Sequence, residues 1–204
     1  MIRQQIVFRP ESLGPLEARL ALSGAAAMMQ APAHVAPVST VHAAAIAQSD
    51  RSTIAYEINF LTGMIPHHQM AIDMSKLALR DATDPQVKGL AKRIISEQMP
   101  EIAQMKRFLA VDGVKNYQPG KAADEVKDLQ TLGTQRGSAF NVAFLTMMTD
   151  HHTRAINGDG MGMIGAAEAN GRVAQPGLKQ LTARIVSTQS RELTEMQGYL
   201  ARGG

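Results

Sequence analysis

The sequence reads FLTGMIPHHQMAIDM from Phe60 to Met74, and a matching stretch, FLTMMTDHHTRAING, runs from Phe144 to Gly158. Equivalent positions keep a constant offset of 84 residues (60 to 144, 67 to 151). The two copies hold four of the six histidines as two adjacent pairs, and a methionine lies three and four residues upstream of each pair. Residues at this spacing share one surface of a helix. The repeated stretch therefore predicts helices that carry a metal site.

A second repeated stretch predicts the helices that pack against the first two. It reads IISEQMPEIAQMKRFL from Ile94 and IVSTQSRELTEMQGYL from Ile185, an offset of 91 residues. Apolar residues recur at steps of three and four, which is typical of amphipathic helices. We therefore predict an all-α fold, a four-helix bundle made of two repeated helical hairpins, residues 49–112 and 137–202.

Proline, glycine and polar residues predict the connections. Asp84 followed by Pro85 begins the second helix, and Pro176 begins the fourth. We expect a polar linker over residues 113–137 between the two hairpins. The two offsets differ by seven residues (91 − 84), which we place in the glycine-rich segment 157–165.

Residues 1–48 differ in composition from the bundle predicted over residues 49–204. They combine early arginines, a short apolar run and an alanine-rich end, as a secretory signal does. This pattern predicts a periplasmic or secreted protein, and a disordered tail is the alternative. No stretch reaches the about 20 apolar residues of a membrane span, so we expect no span in the mature chain.

Composition narrows the classes of partner and ligand. The net charge is only +3 with basic residues scattered among acids, so we expect no nucleic-acid partner. The sequence contains no cysteine, so methionine is the soft metal ligand that remains.

Carboxylates are predicted on the buried side of the second and fourth helices. At about 100° per residue, Glu101 falls on the apolar stripe of the second helix, and Glu192 repeats this on the fourth. A buried carboxylate needs a donor, a cation or a metal beside it. We expect each glutamate to face the inward histidine of its own half, His67 or His151.

A ligand set of imidazoles and thioethers is typical of copper, and particularly of Cu(I). Zinc, magnesium and calcium make little use of methionine. We predict primary ligands at His67, His68, His151 and His152, soft ligands at Met64 and Met148, direct or supporting ligands at Glu101 and Glu192, and further candidates at Met70, Met74, Met105 and Met196, with Met161 and Met163 able to approach from the glycine-rich loop.

Two other functions fit the same residues. In the first, the metal has an open coordination position and serves a redox or hydrolytic enzyme. Since the sequence offers no distinct nucleophile, this function ranks second, and no catalytic residue is assigned. In the second, each glutamate hydrogen-bonds a core histidine, the methionines fill space, and the bundle is a structural or interaction protein.

The repeated pattern resembles the domain of unknown function 305 (DUF305) family. The matching residues are Phe-x-x-x-Met-x-x-His-His-x-x-Ala-Ile and Ile-x-x-x-Gln-x-x-Glu-x-x-x-Met-x-x-x-Leu, each present twice between about Ser49 and Leu200. The resemblance implies a ferritin-like helical bundle, exported, that binds copper through these histidines and methionines. It also implies a role in copper sequestration, resistance or transfer, with a copper donor or acceptor protein as partner. The oligomeric state stays open.

The second copy departs from the family pattern. The acid that the family carries ahead of the motif is Glu57 in the first copy but Asn141 in the second. Arg154 stands where the first copy has Met70, and its cationic side chain disfavours a metal nearby. We therefore expect the second copy to form a weaker site.

Overall fold

The structure, a computed structural model, describes residues 40–160 and 162–202, with side chains at residue 48 and from residue 50 onward. These ranges form six helices: α1 (Thr40–Asp81), α2 (Pro85–Val111), α3 (Ala123–Thr134), α4 (Gly137–Asn157), α5 (Ala166–Arg172) and α6 (Pro176–Ala201). The β-structure within them is an isolated bridge between Ala82 and Gly137. The predicted all-α bundle is confirmed.

Two short helices were not predicted from the sequence. Helix α3 lies in the stretch expected to be a polar linker, and α5 follows the glycine-rich segment and packs on α4 and α6. Leu132 explains the ordering of α3, because its side chain is fully buried in the core while most of the helix is exposed. A single buried leucine in a polar stretch does not form the repeated apolar spacing that predicts a helix.

The N-terminal prediction lies almost wholly outside the described residues. Helix α1 begins at Thr40, ahead of the predicted boundary at residue 49. The compact unit that holds the bundle spans Ala44–Gly204. None of the helices in the described ranges is both long enough and apolar enough to cross a membrane.

The residues that lead into α2 and α6 are held by side chains from the other half. Glu57 is 2% exposed, and its Oε1 accepts hydrogen bonds from the backbone N–H of Ala174 (2.7 Å) and Gln175 (3.1 Å), just before α6. Oδ1 of Asn141 accepts from the backbone N–H of Thr83 (3.1 Å), just before α2. The acid expected ahead of the motif thus joins two helices, and an asparagine fills the same place in the second copy.

Each of the four long helices contributes to two hydrophobic clusters. One cluster includes Met74, Ile94, Leu132, Phe144, Met148 and Met196, and the other includes Phe60, Met64, Met105, Leu109 and Ile185. Each helix passes from one cluster to the other through a short stretch of polar side chains. We call these eight residues the polar layer: His67, His68, Gln98, Glu101, His151, His152, Gln189 and Glu192.

Equivalent residues of the two copies lie in opposite clusters. Met64 and Met148 are 84 residues apart in the pattern, yet each belongs to a different cluster, and the same holds for Met105 and Met196. The two halves therefore run in opposite directions through the polar layer. This arrangement brings histidines from both copies to one level of the bundle.

Candidate metal centre

His67 on α1 and His151 on α4 meet ring to ring in the polar layer. Their ring centroids are 3.6 Å apart and the planes are inclined by 31°. Both nitrogens of each ring are buried and have no hydrogen-bond partner. The first histidine of each pair therefore points to the other half of the protein, and the two copies contribute to one place.

The second histidine of each pair contacts a glutamate of its own half. Nε2 of His68 lies 3.0 Å from Oε2 of Glu101, and Nε2 of His152 lies 2.8 Å from Oε2 of Glu192. Both imidazoles are fully buried. The expectation that His67 and His151 face the glutamates was wrong. Adjacent residues on a helix are about 100° apart, so only one of the two can face the neighbouring helix.

These histidine–glutamate contacts orient the imidazoles. A carboxylate beside Nε2 favours the tautomer that carries its proton there, and the N–H then donates to the glutamate oxygen. Nδ1 of His68 and of His152 is left with a lone pair, and both Nδ1 atoms are buried without a partner. The same arrangement is common around metal ions, where a carboxylate holds a ligating histidine from behind.

Burial keeps the two stacked imidazoles neutral. It lowers the pKa of His67 and of His151 well below the usual value, and repulsion from the neighbouring histidines in their charged form lowers both further. Arg154 adds to this effect at His67. A neutral imidazole keeps a nitrogen lone pair, which is the form that binds a metal ion.

An open cavity of about 380 Å³ adjoins the stacked histidines, and both of them line it. Thioethers are also part of the wall, since Met70, Met74 and Met147 line the same cavity. Met70 and Met74 are 6% and 1% exposed, so their sulfur atoms are held close to the core. The structure thus brings His67, His151, Met70 and Met74 of the predicted ligand set to one cavity, and their role as ligands stays a prediction.

Met147 was missed by the sequence analysis, which selected its neighbour Met148. Met147 lies four residues before His151, a spacing that places both side chains on one helix surface, so the signal was present. Met148 is instead fully buried in the cluster that contains Met196, and Met64 is buried with Met105 in the other. A ligand role for these four methionines stays a prediction.

The glycine-rich loop brings Met163 close to α1. A side-chain carbon added at Gly63, one turn before His67, would lie 3.4 Å from Cγ of Met163. The loop closes tightly at its ends, since a carbon added at Gly165 would lie 2.3 Å from the backbone nitrogen of Gly158. Met161 lies outside the described residues.

A third glutamate, Glu97, lies beside the polar layer and was also missed. Burial raises the pKa of its carboxyl group, and the negative charge of Glu192 raises it further. Glu97 precedes Glu101 by four residues and so shares its helix surface, which was the available signal. In the second copy, threonine takes this position at residue 188.

Unsatisfied polar atoms are concentrated in the polar layer. Twelve buried side-chain nitrogen and oxygen atoms of the layer and Glu97 have no hydrogen-bond partner, including both amide atoms of Gln98 and of Gln189. Buried polar groups in folded proteins nearly always have a partner. These unpartnered atoms make the polar layer the candidate binding site of the bundle.

The histidine and carboxylate side chains of the layer do not by themselves form a complete metal site. Among the residues whose side chains are described, no three histidine, aspartate or glutamate side chains converge to hold an ion. Two imidazoles and three thioethers are among the side chains that line the cavity, and ligands of these two kinds favour a soft ion.

Helix topology, a polar layer with stacked histidines and an adjoining cavity define a class: helical bundles with a histidine and methionine site in the core. The sequence carries the family signature over residues 22–109 and 57–200, the matches to the family described as domain of unknown function (DUF305). The chain belongs to the DUF305 family.

Solved structures share this fold. The chain is similar to CopM in its Cu(I)-bound form, with 32% identity and a TM-score of 0.61 over 72% of this chain and 98% of that one. For CopM in an Ag-bound form the values are 28%, 0.60, 72% and 96%. A DUF305 protein from Streptomyces coelicolor is 25% identical, with a TM-score of 0.62 over 72% of this chain and 92% of that one.

A viral protein shares a shorter stretch. Uncharacterized protein L153 of Acanthamoeba polyphaga mimivirus is 50% identical over 50 residues, which are 24% of this chain and 33% of that protein.

Proposed function

We propose that the protein binds copper in the polar layer and holds it for sequestration or transfer outside the cytoplasm. The observation that carries the proposal is the contact between His67 and His151. Two imidazoles from opposite halves lie 3.6 Å apart, and their four ring nitrogens are buried without a partner. Such a pair is costly in a folded core unless a ligand uses it.

The surrounding side chains suit copper, and Cu(I) in particular. Thioethers of Met70, Met74 and Met147 line the cavity beside the two imidazoles. Soft thioether and imidazole ligands select Cu(I) over hard cations. The lowered pKa values keep the imidazoles free of protons at neutral pH. CopM, a similar protein, has structures with Cu(I), Cu(II) and Ag bound, which supports the same ion chemistry here.

The two histidine–glutamate pairs complete the site in this proposal. Glu101 and Glu192 orient His68 and His152 so that Nδ1 of each presents a lone pair inside the layer. Their carboxylates also place negative charge near a bound cation, which favours the ion in a buried setting. The His67–His151 contact and the two histidine–glutamate pairs thus lie in one polar layer to which both copies contribute.

Export and duplication belong to the same proposal. The signal-like residues 1–48 support a periplasmic or secreted protein, and the matching stretches support a duplicated hairpin, residues 49–112 and 137–202. A copper-donor or copper-acceptor protein would be the partner of a carrier with this site.

Metal stoichiometry of paired variants tests the proposal. Purified protein is loaded with Cu(I) under reducing conditions, passed over a desalting column and measured by elemental analysis. We expect bound copper in the wild type, retention in the control M99L, and loss in H67Q/H151Q. Met99 is 56% exposed and lies outside the polar layer, so M99L removes a possible soft ligand without changing the proposed site. Equal copper in all three proteins would refute the assignment.

The structural alternative has its own supporting observation. His68 and His152 each have a glutamate partner and a fully buried ring, as core histidines do. If the layer were only structural, H67Q/H151Q would change the unfolding midpoint and the wild type would hold no copper. The stoichiometry measurement therefore separates the two functions.

A further inference from the structure

Helix α3 is an addition to the four-helix bundle, and it lies at the mouth of the histidine cavity. Its buried Leu132 joins the core cluster that contains Met74 and Phe144. Before its first turn, Nζ of Lys121 lies 2.6 Å from Oδ2 of Asp73 on α1. The helix is thus fixed at both ends, and its position next to the cavity is a property of the fold.

Helix α3 contributes two acids to the wall of that cavity. Glu125 and Asp128 line it together with Asp150 and Arg154 of α4. Arg154 forms an ion pair with Asp150, so these two charges offset each other. Lys121 is engaged by Asp73. The mouth therefore carries a net negative charge that comes from α3.

A separate observation shows that a ligand is expected behind these acids. His151 is 9% exposed, lines the same cavity and has two ring nitrogens without a hydrogen-bond partner. Glu125 is half-buried, and its Oε2 accepts a hydrogen bond from the backbone N–H of Ala122 (3.0 Å), which holds the carboxylate in place. Fixed negative charge and unpartnered imidazole thus occur along one path from the surface to the core.

We propose that Glu125 and Asp128 form an acidic mouth that attracts a monovalent soft cation and speeds its passage to His67 and His151. This inference rests on the proposed function. Carboxylates are hard ligands that hold a soft cation weakly, whereas thioethers and imidazoles hold it well. The acids therefore act on the rate of uptake, and the inner ligands determine how much ion is bound.

Electrostatic steering has a measurable size. Clefts lined by charge of one sign raise association rates by about 10- to 1,000-fold, and the effect falls steeply with ionic strength. Removal of one of the two α3 charges should slow uptake about threefold at low salt, and removal of both about tenfold. Salt at about 1 M shortens the screening length to about 3 Å and should abolish the difference.

Rapid mixing with free Ag⁺ is the test, because this ion is stable in water without a reducing agent. Uptake is followed through a fluorescent indicator of free Ag⁺, in nitrate buffers of low and high ionic strength. The variants are D128N and E125Q/D128N. The matched control is D124N, an equal change of charge on the same helix at an exposed position that does not line the cavity. Thermal unfolding followed by circular dichroism verifies that the variants are folded.

The expected result is slower uptake in D128N than in D124N at low salt, with a larger loss in the double variant and unchanged stoichiometry in all. Equal rates in D128N and D124N would overturn the inference, and so would a slower rate that does not depend on salt. These results differ from a failure of the proposed function. In that case the wild type takes up no Ag⁺, or H67Q/H151Q takes up as much as the wild type.

Discussion

Replacing the two stacked histidines by leucine should stabilise the metal-free protein while removing its copper site. His67 and His151 each bury two ring nitrogens that have no hydrogen-bond partner. An unsatisfied buried polar group costs about 1–3 kcal/mol. Leucine is close to histidine in volume, and a swap of similar volume costs less than about 1.5 kcal/mol of strain. The expected net gain for H67L/H151L is about 2 kcal/mol, which corresponds to about 4–8 °C in Tm.

The same substitution one residue later should have the opposite effect. His152 is fully buried, and its Nε2 lies 2.8 Å from Oε2 of Glu192, which is itself 5% exposed. Leucine at this position would leave a buried carboxylate without its partner. Breaking a buried pair by removing one member costs about 3–5 kcal/mol. Comparing H151L with H152L therefore contrasts the loss of an imidazole without a hydrogen-bond partner with the loss of one that has a partner.

Urea unfolding followed by circular dichroism measures both effects, with a copper chelator in the buffer. Excess Cu(I) should reverse the order, because a ligand at about 1,000 times its Kd stabilises the wild type by about 4 kcal/mol and does nothing for H67L/H151L. A lower midpoint for metal-free H67L/H151L would refute the reasoning, since it would mean that the two rings are already well satisfied in the folded protein.

Four further outcomes follow from the same contacts. Burial lowers the pKa of the two stacked histidines, so below about pH 6.5 the unfolded chain binds protons that the folded chain does not. The stability of the metal-free protein should therefore fall with decreasing pH by up to about 2.7 kcal/mol per pH unit. Urea unfolding midpoints measured across this pH range test the prediction, and H67L/H151L should show a weaker pH dependence. Glu57→Ala should lower stability by about 1–3 kcal/mol in urea unfolding, because it removes the acceptor at the start of α6, while bound copper stays unchanged. M70L/M147L should weaken Cu(I) more than Cu(II) in chelator competition, with the exposed Met99→Leu as the control. His67→Gln alone should remove all the copper that elemental analysis detects, whereas two independent sites would lose only half.

The helices were predictable because their signal is local. Apolar spacing, the Asp84–Pro85 start and the repeated stretches depend on residues near one another in sequence. In the structure, Oδ1 of Asp84 accepts a hydrogen bond from the backbone N–H of Gln86 (2.6 Å), as expected of a residue that caps a helix. Helix α3 was not predictable in the same way, since its order comes from Leu132 entering a core formed by distant residues.

The polar layer was predictable in part. Periodicity shows which helix face is buried, so it identified Glu101 and Glu192 as inward residues beside buried histidines. It does not show which other helix a buried side chain meets. Of two adjacent histidines, the one that faces the neighbouring helix contacts the glutamate. In the structure these are His68, which contacts Glu101, and His152, which contacts Glu192.

The way the two copies pack against each other was the feature least predictable from the sequence, because the sequence alone suggests two sites, one for each half. Opposite directions of the halves bring His67 of the first copy to His151 of the second. Met70 of the first copy and Met147 of the second then line the same cavity. Such contacts between residues 84 apart depend on how two hairpins pack, and no local pattern encodes that packing.

This geometry changes the meaning of the differences between the copies. Arg154 and Gly158 replace methionines in the second copy, which suggested a weakened second site. Arg154 instead forms an ion pair with Asp150 at the cavity mouth, and Gly158 follows α4 with a φ of 82°, a conformation that glycine adopts readily. A single cavity between two opposed halves needs only one set of thioethers. If copper binds at this cavity, the first copy contributes Met70 and Met74 and the second contributes Met147, so the copies can differ in sequence without loss of the site.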